Sequence, residues 1–340
     1  MTLSLEIGLD NNHVPKYLQV ANAVTEAIRR GELKKGQKIL SINELSEEYL
    51  VSRVTVEKAY NLLREQGTIV PVKGKGYYIN NTCVSGPIRV LLLFNKLSEY
   101  KKQIYTAFIR QLGNNAVVDL KIHHFDADVL RTLVESHINE YNYFVLMPYF
   151  YENPAAALQV IKSIPKEKLI LLDNKIADID LKCGAVYQDF ENDIISALEE
   201  ALPLLKKYER MFIVISEMIP LPTEIVKGFR KFCMQNFLPG TLLKEMPPAP
   251  QIKKGDVYIV KEESDLASLI KACKCNNLKI GEDVGIISYN DTPLKEVLLD
   301  GITVISTDHA MMGRTAANLI LRNSRENIKN PFSFIRRGSL

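Results

Sequence analysis

The sequence has no run of about 18 or more apolar residues, and its N-terminus lacks a basic start followed by an apolar stretch. Neither a membrane-spanning helix nor an export signal is therefore expected. An excess of one charge is also missing. The formal net charge is +3 over 340 residues, so contact with nucleic acid must rest on a local patch rather than a global field. Cysteine is scarce. The five residues Cys83, Cys183, Cys233, Cys273 and Cys275 are odd in number and scattered, which argues against a secreted disulfide framework and for a cytoplasmic protein. Cys273 and Cys275 stand two apart in a helical pattern and face different directions, which argues against a metal site. Also lacking are low-complexity segments, a repeat of about 20–50 residues, a glycine-rich phosphate loop and a Ser-His-Asp signature. No metal and no cofactor is expected.

The length suggests two or three domains, at about 100–200 residues each. Residues 15–30 repeat apolar groups at helical spacing through Tyr17, Val20, Ala21, Val24, Ala27 and Ile28, with Pro15 suited to a first turn and Gly31 to a stop. Ser41 and Glu44 form a capping-box pattern that opens a second helix. Ser52 caps a third, which carries Val56, Ala59, Leu62 and Leu63 inward before Gly67. "TIVPV" and "YYI" then flank the tip Lys73-Gly74-Lys75-Gly76 as strands.

Helix, helix, tight link, helix and hairpin within 80 residues make a winged helix-turn-helix. In such a unit the second helix of the pair enters the major groove by its first turn, here Ser52, Arg53, Val54 and Thr55. Arg53 can grip a phosphate or fork onto guanine, and Val54 and Thr55 can meet a thymine methyl. Lys73 and Lys75 bring charge to the wing, while Gly74 and Gly76 allow a tight turn close to a groove. Residues 1–80 hold 11 basic and 9 acidic groups, a net of +2. A head so weakly charged needs a second copy, and a homodimer on a two-fold operator in double-stranded DNA is the simplest solution.

This stretch resembles the GntR family of bacterial transcription regulators. The resemblance rests on Pro15-Lys16-Tyr17, on "VSRVTV" at Val51–Val56 and on the closing Gly74-Lys75-Gly76. It adds Ser41 and Asn43, at the opening of the second helix, to the DNA-binding candidates. The usual Leu-Pro-Ser opening is Ile39-Leu40-Ser41 here, the frequent arginine is Asn43, and a common basic position is Glu57.

After the polar stretch 81–87, a linker, short apolar runs alternate with helical patterns through residues 88–340. Strands are expected at 88–94, 143–148, 168–173, 211–216, 256–260 and 284–289, and helices near 99–113, 154–163, 190–207, 222–236, 264–277 and 309–323. Continuous leucine-rich and β-branched runs fit buried parallel strands, so the class is α/β. His123-His124 sits in an apparent strand, which sends the two rings to opposite faces.

The segment 278–321 is similar to the periplasmic-binding-protein-like sensor domain of LacI-type repressors, as are "KGFRKF" and the closing "FIRRGSL". That resemblance implies two doubly wound α/β lobes with a ligand between them, at the carboxyl ends of the strands. Carried over position by position, it gives a candidate effector pocket: Asn95 to Tyr100, Tyr149, Phe150, Asp173, Gln188, Asp189, Glu224, Glu263, Asn290 and Asp291. Where family members often place an arginine, Ile225 stands; Glu263-Ser264 replaces an Asn-Asp pair, and Asn290 the first of two aspartates. The expectation is a weakly cationic pocket suited to a neutral sugar.

The function so implied is a ligand-responsive repressor controlled by a monosaccharide, not an enzyme. Two alternatives stand beside it. A pyridoxal-phosphate enzyme carried by the same type of head needs a longer C-terminal part and a strand-end lysine. A regulator sensing a non-sugar metabolite needs only a different cleft. A transport binding protein would need the export signal that is not expected here.

Overall fold

The computed structural model describes residues 15–29, 31–81, 87–113, 116–150, 152–176, 182–215 and 222–340. Cys83, Tyr151, most of the 81–87 stretch and the end of the strand expected at 211–216 lie outside the described residues. The chain divides into two compact units, Met1–Ile88 and Arg89–Leu340.

The first unit contains α1 (Lys16–Arg29), β1 (Lys38–Ile39), α2 (Ile42–Glu48), α3 (Arg53–Glu65), β2 (Ile69–Val72) and β3 (Gly76–Ile79). Helical phase brings Val20 and Val24 of α1, Leu45 of α2, and Val56, Ala59, Tyr60 and Leu63 of α3 into one core with Ile69 and Ile79. The buried Tyr60 hydroxyl donates to the Leu40 carbonyl at 2.6 Å, so its polar end is satisfied. Beyond α3, Gly67 takes φ +69 and the Thr68 amide donates back to the Leu63 carbonyl, the local geometry that ends a helix at glycine. The sheet order β1-β3-β2 puts Pro71 on an edge strand, where a missing donor costs nothing. The two-residue β1 is too short to carry a period and was not anticipated.

In the second unit, β4 (Ile88–Phe94), α4 (Glu99–Leu112), β5 (Ala116–Ile122), α5 (Ala127–His137), β6 (Tyr143–Leu146), α6 (Pro154–Ser163), β7 (Leu169–Asp173) and β8 (Gly184–Tyr187) build the first lobe. The second lobe holds α7 (Phe190–Leu205), β9 (Arg210–Val214), α8 (Thr223–Gln235), β10 (Gly240–Leu243), β11 (Asp256–Val260), α9 (Glu263–Cys275), β12 (Val284–Tyr289), α10 (Pro293–Val297) and β13 (Thr303–Thr307). The chain closes with α11 (His309–Leu321), β14 (Asn327–Lys329) and β15 (Phe332–Ile335).

The two sheets run β14-β8-β7-β6-β4-β5 and β10-β9-β11-β12-β13-β15. Numbered along the chain, the first five strands of each lobe follow one order, 2-1-3-4-5, that of a doubly wound sheet. The register pairs are parallel along β4-β6-β7-β8-β14 and β10-β9-β11-β12-β13, and β15 runs antiparallel, against β13. Such an order has a switch point, between β4 and β6 in one lobe and between β9 and β11 in the other. The loops that leave those strand ends diverge and open a crevice.

The chain crosses between lobes after β8, after β13 and after β14. Asn330 ties these crossings together. Its side-chain amide donates to Thr307 Oγ1 at 2.7 Å and to the Asp308 carbonyl at 2.8 Å, while its backbone amide donates to the Tyr187 carbonyl at 2.8 Å. A close seam between α4 and α11 explains Gly313, because a Cβ there would lie 2.3 Å from the Ile104 carbonyl oxygen.

Some expectations need correction. β5 ends at Ile122, so His123 and His124 lie just past the strand; His124 has φ +52 and His123 is buried. The closing strand ends at Ile335, short of the "RRGSL" end. The strands β8, β10, β13 and β14 and the helices α5 and α10 were not anticipated. β10 lies at a sheet edge, half in water, and carries no continuous apolar run.

Candidate functional site

The α2–α3 link turns on Leu50, which takes φ +52 and is 91% exposed. Val51 then dives into the core, and Ser52 caps α3. Ser52 Oγ accepts from the Thr55 amide at 3.2 Å and shares a second hydrogen bond with Thr55 Oγ1 at 2.7 Å. Ser41 plays the same part for α2. Its amide donates to Glu44 Oε2 at 2.7 Å, and its Oγ accepts from the Glu44 amide. Those bonds, with Lys38 nearby, hold the Glu44 carboxyl below its ordinary value. Both serines thus have structural work within their own turns.

The residues that face water are Asn43, Ser52, Arg53 and Val54, with Thr55 half-buried beside them. Val54 is 62% exposed, an apolar group that the head's own core leaves uncovered. The wing tip carries exposed Lys73 and Lys75 around Gly74 at φ +73, and Gly76 follows at φ +100. The Lys75 amide donates to the Val72 carbonyl at 2.9 Å and closes the turn. All ten candidates therefore stand on two structural features, the opening of the α2–α3 pair and the hairpin tip.

In the second unit a narrow cavity of about 50 Å³ opens at the strand ends of both lobes. Asn95, Lys96, Tyr100, Lys101, Phe125, Tyr149, Asp173 and Gln188 line it from the first lobe; Phe190, Pro222, Ile225, Lys261, Tyr289 and Asn290 line it from the second. A neighbouring cavity of about 370 Å³ shares Lys96, Tyr100, Lys261, Tyr289 and Asn290 and adds Ser98, Glu99, Glu262, Glu263, Ser264, Thr292 and Lys295. The outer volume lies in the range of small-ligand sites, and the inner cavity, which shares five of its lining residues, is a narrow pocket beside it.

Asp173 ends β7 at φ +75, and Asn290 follows β12 at φ +64. Left-handed backbone at two non-glycine strand ends is a local cost that clusters at working sites. Lys295 holds the second of these by donating to the Tyr289 carbonyl at 3.0 Å and the Asn290 carbonyl at 2.7 Å. The Asp173 carboxylate accepts from the Tyr149 hydroxyl at 2.9 Å and from the Gln188 side-chain amide. The Lys101 amine donates to Asn95 Oδ1. His309 lies with its ring 4.8 Å from that of Tyr100, and burial pushes His309 down to about 4.

Of the effector-binding candidates, the structure brings Asn95, Tyr100, Tyr149, Asp173, Gln188 and Asn290 to the inner cavity and Glu263 to the outer one. Four go elsewhere. Phe150 stacks on His123 at 4.7 Å and packs against the first-lobe core. Asp189 opens α7 and faces Lys329 at 3.7 Å, in a cluster with Asp193. Glu224 is exposed on the first turn of α8. Asp291 gives both oxygens to Arg337, each at 2.8 Å, and so acts as a strut between β12 and the C-terminal segment.

Sequence reasoning missed Lys101, Lys261, Phe125 and Tyr289, while Lys96 lay within the expected stretch Asn95 to Tyr100. The expectation of a weakly cationic pocket is overturned by these three lysines. The signal was present in the β4 and β11 runs, since a lysine one or two residues beyond a buried parallel strand sits at its carboxyl end. Among the described residues no cluster of three or more His, Cys, Asp or Glu could hold a metal, and no helix is long and apolar enough to cross a membrane.

Together these features define a winged helix-turn-helix head and a two-lobed, doubly wound clamshell with a polar cleft. Comparison with known proteins places each part. Residues 16–79 match bacterial regulatory proteins of the gntR family, and residues 234–339 match the periplasmic binding protein-like domain. The chain therefore joins a gntR-family head to a periplasmic-binding-protein-like domain. The mannosyl-D-glycerate transport/metabolism system repressor MngR of Escherichia coli K12 is 40% identical over 88 residues, which is 26% of this chain and 37% of that repressor. The chain thus spans about a third of the length of that curated relative. Two solved structures share the fold of the second unit. A LacI family transcriptional regulator from Enterococcus faecium with bound ribose has TM-score 0.60 at 18% identity, over 74% of this chain and 98% of that one. Another from Lactobacillus casei with bound glucose has TM-score 0.59 at 14% identity, over 74% and 99%.

Proposed function

We propose that this chain is a cytoplasmic, ligand-responsive regulator of transcription. It acts as a homodimer whose two heads hold the halves of a two-fold operator, and it represses until a monosaccharide or close derivative enters the cleft. The inner cavity carries this reading. Among the described residues, Gln188 Oε1 and the Tyr289 hydroxyl are buried without a hydrogen-bond partner, and both residues line that cavity. An unpaired buried polar group costs about 1–3 kcal/mol, so a ligand bearing hydroxyls recovers that cost on binding. Tyr100, Tyr149 and Phe125 offer the flat apolar surfaces that the C–H side of a sugar ring needs. Ribose and glucose are named in the two structural neighbours and fit the same ligand class.

On the head, helix-terminal amides and Arg53 suit phosphate and base edges, and the lysines of the wing add charge. The ligand acts by preferring one arrangement of the lobes, and hence of the dimer, over another. A preference of about 1–3 kcal/mol changes DNA affinity by about 5–150-fold.

The test is fluorescence anisotropy of the full-length protein on duplex DNA from upstream of its own gene, at several salt concentrations, with and without a panel of monosaccharides. Affinity should fall steeply with salt and shift with at least one sugar. Arg53→Ala should weaken binding about tenfold or more and, if Arg53 grips phosphate, reduce the salt slope by about one. Salt-insensitive or absent binding to every duplex tried would sink the reading.

A further inference from the structure

We infer that the effector is an acidic carbohydrate, a sugar bearing a phosphate or a carboxylate, whose negative group is received by Lys101 and Lys261 in the inner cavity. This rests on the proposal that the cleft binds a carbohydrate. Three lysines line the inner cavity, Lys96 beyond β4, Lys101 on the first turn of α4 and Lys261 beyond β11. Among the described residues one carboxylate, Asp173, faces them there. Both of its oxygens already accept hydrogen bonds, from Tyr149 and Gln188, and neither Lys101 nor Lys261 forms an ion pair with it. A buried cation without a paired anion is an expensive arrangement, and a ligand that brings the anion removes the expense.

The lysines differ in what they already hold. Lys96 has Glu262 at 4.0 Å. Lys101 is 1% exposed and donates only to Asn95 Oδ1, which leaves two of its N–H groups for a ligand. Lys261 has no hydrogen bond or ion pair among the described residues. The outer cavity is built differently. There Glu99, Glu262 and Glu263 match Lys96, Lys261 and Lys295 one for one. The negative group therefore sits inward, and neutral hydroxyls point outward to Ser98 and Thr292, whose side-chain oxygens are buried without partners among the described residues.

Protonation follows the same logic. Burial pushes the Lys101 amine down to about 7 and lowers Lys261, with Asp173 opposing the shift and Lys96 reinforcing it. The nearby imidazoles of His123 and His309 are held near 4 by burial and stay neutral at pH 7. Glu262 faces Lys261 and favours its charge. A bound anion restores the Lys101 charge, so binding takes up a proton near neutral pH and weakens as pH rises from 7 to 9.

The experiment is calorimetric titration of the full-length protein with matched sets, each an aldose, its phosphate ester and its sugar acid, with inorganic phosphate as the anion alone. Expected is at least tenfold tighter binding of a charged member than of its neutral parent. Lys101→Met and Lys261→Met should each erase that preference, bringing the charged member to the affinity of its neutral parent. Whether the ester or the acid wins identifies the source of the charge. A neutral parent that binds as tightly as its charged forms overturns the inference and leaves the carbohydrate reading standing. Inorganic phosphate that binds through these lysines, with no sugar binding at all, leaves an anion site but overturns the carbohydrate reading and, with it, the assignment of the effector as a sugar. No binding of any probe overturns both.

Discussion

The head and the cleft solve opposite problems. On the head, polar groups stand in water and are satisfied within their own turns: Ser52 by Thr55, Ser41 by Glu44. In the cleft, polar groups are buried, come from strand ends far apart in the chain, and are left partly unpaired: Gln188, Tyr289, Ser98 and Thr292. A surface that reads DNA can rest as a free surface, because water covers it until phosphate arrives. A closed site carries its unpaired groups at a cost in the empty state, and the ligand removes that cost. Charge in the two places should therefore differ in its effect on stability.

The largest effect is expected at Lys101. Replacing it by Met removes a buried cation for a side chain of similar volume, and should stabilise the ligand-free second unit by about 3 kcal/mol at pH 6. The sign with pH is definite. The folded amine titrates at about 7 and the unfolded one near 10.5, so the penalty is complete below 7 and is relieved as pH rises between those values. The advantage of the variant over wild type should shrink by pH 9, as read from urea unfolding at both pH values. Lys73→Met on the exposed wing should change stability by less than about 0.5 kcal/mol at either pH. Equal effects at Lys101 and Lys73 would erase the contrast.

Asp291→Ala comes next. It strips Arg337 of a bidentate partner and should destabilise the second unit by about 2 kcal/mol, while effector affinity stays unchanged. Loss of effector affinity at unchanged stability would return Asp291 to the cleft. The smallest effect is at Ser52. Ser52→Ala should cost the head about 1 kcal/mol as a lost cap, seen in its unfolding transition. A fall in DNA affinity without that cost would mean that the hydroxyl serves DNA and not the helix.

The same contrast explains what could be read from the sequence. Each element of the head is announced by residues within a few positions of it. Ser41 with Glu44, Ser52 before Val56, and Gly67 after Leu63 fix its three helical boundaries, and the glycine-lysine tip fixes the hairpin. In the second unit the buried strands were legible as apolar runs, and six cleft residues carried over from the family resemblance lie at the inner cavity. Lysine misled. Lys101 sits in the polar stretch "NKLSEYKK" just beyond the expected pocket stretch, and nothing local marks the burial that leaves it 1% exposed. Asp291 misled in the other direction, because its partner Arg337 lies 46 positions away and nothing local marks the pair.

Asn330 has a mechanical consequence. It grips the chain at Tyr187, at Thr307 and at Asp308, so every segment that passes from one lobe to the other is pinned at a common node. The lobes then have little freedom to slide or splay independently, and their relative movement reduces to rotation about that pivot. Small rearrangements around a captured ligand would be geared there into a swing of the whole far lobe.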